Sequence, residues 1–161
     1  MELLAGLVHS PLGTIHLVSS LLSMVAGGII LILPKGNRRH KQIGYFYLCS
    51  MIIVNISAMG IYHMTGAFGL FHVAAIVGFL AMAGGMIPLF LPNVDRRTKV
   101  MHLWFMYYSV LGLYAAFFAE ISVRIPGVPF YPMVGVATVV VCGGGTLIIL
   151  RKRRVWEKHF S

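Results

Sequence analysis

Acidic residues are scarce in this chain: four Asp and Glu in 161 residues, against thirteen Lys and Arg. Charged residues of either sign make up only 11%, while 58% are hydrophobic and mean hydropathy is +0.86. An average soluble domain is about a quarter charged, so a water-exposed globule is excluded. The two cysteines, Cys49 and Cys142, stand alone with no Cys-x-x-Cys pair. That disfavours a quinone-linked thiol oxidoreductase, which needs paired, accessible thiols, and each cysteine reads as a small packing residue. No His-x-x-x-His motif occurs either, so no local zinc-enzyme signature is available.

What the chain has in abundance is apolar length. Five runs, at residues 12–33, 43–62, 68–91, 101–123 and 133–150, each approach the ~20 residues that cross a ~30 Å hydrocarbon core as a helix. They are continuously apolar rather than alternating, which argues against strands. Met1-Glu2-Leu3-Leu4 lacks the basic start of a cleaved signal peptide, so the first run is expected to stay as a helix. The expected fold is all-α and transmembrane: a single membrane domain with a four-helix core over 12–125 and a fifth helix at 133–150. A basic tail follows at 151–161.

The placement of charge sets an orientation. Lys35, Arg38, Arg39 and Lys41 follow the first run, Arg96, Arg97 and Lys99 the third, and Arg151, Lys152, Arg153, Arg154 and Lys158 the fifth. Only Arg124 lies on the opposite side. The positive-inside bias puts the N-terminus outside and the C-terminus in the cytoplasm. This distribution explains the charge without nucleic acid. The tail also suits anionic lipid or a regulatory partner.

Two hairpins read alike. The first runs His16, Gly27-Gly28, Leu33-Pro34, Arg38-Arg39, His40; the second runs His72, Gly84-Gly85, Leu91-Pro92, Arg96-Arg97, His102. The halves would be parallel repeats about an axis along the membrane normal. Titratable side chains in hydrocarbon are costly and point to function. At 3.6 residues per turn, His16, Ser20, Ser23 and Gly27 share a stripe, as do His102, Ser109, Ala116 and Glu120. These faces should turn inward, and Asn55 in the second run also needs a partner. Gly143-Gly144-Gly145, with Gly135 and Ala137, should give the fifth helix a close but peripheral contact.

Two chemistries fit. A haem b needs two axial imidazoles on facing helices. His16 with His72 would form an outer pair and His40 with His102 an inner pair, a layout like that of transmembrane di-haem cytochromes of the b561 type. Gly27-Gly28 and Gly84-Gly85 would leave backbone open to a porphyrin. Tyr45, Tyr47, Trp104, Phe105 and Tyr107 would flank the inner group or anchor at the lipid interface. A bare zinc or iron would instead use His16, His63, His72 and Glu120, from four helices, with His9 nearby. A third reading needs no ligand: the polar side chains tie helices together, and His40 and His102 touch lipid phosphate. His159 reads as solvated.

The segments His40-Lys41-Gln42-Ile43-Gly44-Tyr45-Phe46-Tyr47 and His102-Leu103-Trp104-Phe105-Met106-Tyr107-Tyr108-Ser109 resemble paired motifs of a bacterial membrane-protein family. The run Ala115-Ala116…Glu120…Arg124-Ile125 adds to the likeness. It is the family called domain of unknown function 2306, and the resemblance covers residues 12–125. Lys41, Phe46 and the position of Trp104 depart from its pattern. The resemblance implies a small bacterial multi-helix membrane protein and supplies no activity. The functions in view are a haem-b electron-transfer protein of the plasma membrane, a metal-dependent membrane enzyme or metal-handling protein, and a non-catalytic subunit or homo-oligomer.

Overall fold

A computed structural model describes residues 10–62 and 66–157. Its regular elements are all helical: α1 (Pro11–Ile32), α2 (Arg38–Met59), α3 (Leu70–Met86), a 3-10 turn (Ile87–Phe90), α4 (Arg96–Ser122) and α5 (Phe130–Glu157). Five helical segments are long and apolar enough to cross a membrane. Side chains such as Val25, Ile56, Leu80 and Val139 are exposed, which suits hydrocarbon and not water. This is a multi-pass membrane protein.

Short polar residues start the helices. Ser10 accepts from the Gly13 N–H at 3.0 Å, with Pro11 in the first turn. Asn37 accepts from the His40 N–H at 2.7 Å, and Asp95 from the Thr98 N–H at 2.8 Å. Such caps satisfy amide donors that a helix start leaves open. Because Asn37 and Asp95 precede the arginine pairs, Arg38-Arg39 and Arg96-Arg97 form first helical turns. Each helix thus begins five residues before its apolar run. At the end of α1, the Lys35 ammonium donates to the Ile30 and Leu31 carbonyls at 2.8 and 3.0 Å. Burial lowers its pKa to about 8. The Thr98 hydrogen bonds hold the exposed Asp95 carboxyl below its usual range.

The chain divides into two compact units, Met1–Phe79 and Leu80–Ser161. In the first, α1 packs along α2 as the expected hairpin. The buried residues of α1 are mostly small, Ser19, Ser20, Ser23, Ala26 and Gly27 beside Ile30, while those of α2 mix Ser50, Asn55 and Ser57 with Tyr47, Met51 and Val54. Several of these hydroxyls donate to carbonyls one turn back, Ser20 to His16 and Ser50 to Phe46 among them. Small side chains then let the helices approach closely.

In the second unit α4 packs along α5. The Tyr107 hydroxyl donates to the Gly145 carbonyl at 2.7 Å, and Tyr108 meets the Thr146 hydroxyl at 3.0 Å. Val134, Ala137 and Ile149 are buried. A Cβ on Gly145 would run into the Leu111 side chain, whereas Gly135, Gly143 and Gly144 have nothing within 4 Å. Of the glycines expected to make the fifth helix's contact, only Gly145 does so. The other three point elsewhere because helical phase carries them off the α4 face.

Candidate functional site

Ring-nitrogen hydrogen bonds orient His16, His72 and His102. His16 Nδ1 lies 2.9 Å from Ser57 Oγ and 3.2 Å from the Val54 carbonyl. The Ser57 hydroxyl can give its proton to the Ile53 carbonyl at 2.7 Å, so the serine oxygen can accept from His16. A carbonyl can only accept, which likewise puts the ring proton on Nδ1. His102 Nδ1 donates to the Gly85 carbonyl at 2.9 Å. In both rings Nε2 therefore keeps the lone pair, the tautomer that a backbone acceptor fixes in metal-bound histidines.

His72 differs. Its ring is 3% exposed and lies between Tyr62 and Phe68, at centroid distances of 4.7 and 5.0 Å. The Gly69 N–H donates to its Nδ1 at 3.0 Å, so the proton sits on Nε2. That atom is buried and has no hydrogen-bond partner among the described residues. Ser23 Oγ and Asn55 Nδ2 are two further buried atoms without one. The first unit thus carries an unmet polar atom on each of α1, α2 and α3.

Asn55 was legible as a group needing a partner; its neighbour was not. A Cβ on Gly78 would lie 3.0 Å from Asn55 Oδ1 and 3.4 Å from Nδ2, so the glycine makes room for the amide. The α1 stripe is as expected, with Ser20, Ser23 and Gly27 all buried. On α4, Ser109 is buried, but Glu120 is 28% exposed. Glu120 accepts from Arg124 Nη2 at 2.7 Å, one turn on in sequence.

The inner histidines are not equivalent. His40 is three residues beyond its cap and His102 seven beyond Asp95, about one turn or ~6 Å further along its helix. The open backbone expected at Gly84-Gly85 is occupied. Cβ atoms there would meet Phe105 and Met106 at 3.0–3.1 Å, so these glycines receive α4 side chains and do not leave backbone open to a porphyrin. Tyr47 and Tyr107 are buried, while Tyr45 and Phe105 are exposed. His9, His63 and His159 lie outside the described residues. Among the described residues no three His, Cys, Asp or Glu side chains gather as a metal-holding group.

Comparison with protein-family models, with curated proteins and with solved structures finds no match to this chain.

Proposed function

We propose that this protein is a membrane haem-b electron carrier, in which His16 and His72 would hold one haem and His40 and His102 are the further candidate ligands. The observation that carries the reading is the His72 ring: a titratable side chain packed between two aromatic rings, with a buried nitrogen that nothing in the described chain satisfies. An orphaned buried polar atom costs about 1–3 kcal/mol, and iron could use that nitrogen only after its proton had moved to Nδ1 at the expense of the Gly69 bond. His16 and His102 add to the support, since each is oriented through Nδ1 with its lone pair on Nε2.

A haem held there would supply a one-electron iron couple. The residues do the rest. Ser57 and the Val54 carbonyl hold the His16 ring, and the Gly85 carbonyl holds His102. Tyr62 and Phe68 keep water from His72. Ligation at His72 requires the proton to move from Nε2 to Nδ1 and the Gly69 N–H to release the ring.

A bare zinc or iron at His16, His63, His72 and Glu120 has less support, because Arg124 already engages Glu120. We further propose a bacterial plasma-membrane protein with its N-terminus outside, on the strength of the basic-residue distribution and the family resemblance. Haem per chain, measured as the pyridine complex after expression with haem supplied, tests the function. Two per wild-type chain are expected, one after His16→Leu, and two after Glu120→Gln. A chain without haem, holding zinc or iron that Glu120→Gln removes, would overturn the proposal.

A further inference from the structure

At the start of α4 the side chains form a graded stripe. Asp95, Arg96 and Arg97 are followed one turn on by Val100 and Met101, and another turn on by Trp104 and Phe105. Together they line a groove of about 600 Å³. From the arginines to Trp104-Phe105 the helix rises ~12 Å, the depth over which a phospholipid passes from phosphate through glycerol to acyl chain. We propose that this groove binds one anionic phospholipid, its phosphate on Arg96 and Arg97 and its upper acyl chain on Trp104 and Phe105.

Three observations support an anionic occupant. Arg96 and Arg97 are exposed in the first turn of the helix, where only the Asp95 cap carries an opposing charge. The Asp95 carboxylate is turned onto Thr98, accepting from both its N–H and its hydroxyl. The two arginines still outweigh it, leaving a mouth of one net positive charge. Further in, the wall is apolar: the Trp104 ring stacks on Tyr108 at 6.1 Å, and Phe105 lies against Gly84. A free phosphate would satisfy only the mouth; a diacyl phosphodiester also covers the aromatic wall.

Trp104 reports its own neighbours. The chain has two tryptophans, so Trp156→Phe leaves Trp104 as the sole emitter. The variant is reconstituted in vesicles of equal phosphatidylglycerol and phosphatidylcholine, with bromine on the acyl chains of one lipid at a time. One net charge at a membrane surface corresponds to about a fivefold preference. Quenching by the brominated phosphatidylglycerol should exceed that by phosphatidylcholine to this extent. Arg96→Gln/Arg97→Gln should bring the ratio near one, and Arg96→Lys/Arg97→Lys should keep it. Equal quenching by both lipids would overturn the proposal, as would stronger quenching by brominated phosphatidylcholine. If the Gln variant does not insert, Arg151→Gln/Lys152→Gln decides: a preference lost there belongs to the tail, and one retained there belongs to the groove.

Discussion

Replacing His72 by Phe should separate the cost of the site from its use. The ring keeps its place between Tyr62 and Phe68, contacts worth about 0.5–1.5 kcal/mol each. Removing the unpartnered Nε2–H relieves about 1–3 kcal/mol, and losing the Gly69 bond to Nδ1 costs about 1 kcal/mol. Without cofactor, His72→Phe should therefore be between neutral and about 2 kcal/mol more stable than wild type. His72→Ala loses both ring contacts and leaves a cavity, and should be less stable by about 3 kcal/mol. For a chain of this size about 2–4 °C in Tm corresponds to 1 kcal/mol. Helical circular dichroism of haem-free protein in detergent, recorded against temperature, resolves that order. His72→Phe should at the same time lose one haem per chain. If Phe and Ala prove equally destabilising, the imidazole serves the fold through its polar atoms, and the ligand reading of His72 fails.

The α4–α5 contact predicts a glycine order: Gly145→Ala forces Leu111 aside and should lower stability by about 1–3 kcal/mol, while Gly143→Ala and Gly144→Ala should not. Thermal melts check it, and Leu111→Ala should rescue Gly145→Ala. Lys35 has a pKa near 8 in the folded chain against 10.5 when exposed. The folded state thus binds fewer protons between those values, and stability should rise with pH through that window. Unfolding melts of wild type minus Lys35→Gln should show this slope; a flat difference would contradict it. Glu120→Gln loses a partly exposed pair one turn apart, worth about 0.5 kcal/mol, so its melting point should fall by only a degree or two.

Hydropathy alone exposed the five crossings, because a helix in hydrocarbon must be apolar along its whole length. The inward stripe His16–Ser20–Ser23–Gly27 was equally legible, since helical phase is fixed by spacing. Two helices, at Arg38 and Arg96, start five residues before the apolar runs read at 43 and 101, and Asn37 and Asp95 held the missing signal. Packing partners were harder to read. Nothing in the fifth run distinguishes Gly145 from Gly143, and only the path of α4 puts Leu111 and Tyr107 against one of them. Similarly, Gly84-Gly85 announces close approach without saying whether a porphyrin or Phe105 and Met106 will fill it. The tautomer at His72 depends on the Gly69 N–H, a backbone group with no side-chain signature.

Haem held by histidine would be visible in an absorption spectrum of the purified chain, oxidised and then reduced with dithionite. An intense near-ultraviolet haem band that sharpens on reduction is expected, with narrow visible bands typical of bis-imidazole iron, diminished by half in His16→Leu. A colourless protein from cells supplied with haem, melting as sharply as a folded membrane protein should, would contradict the haem proposal.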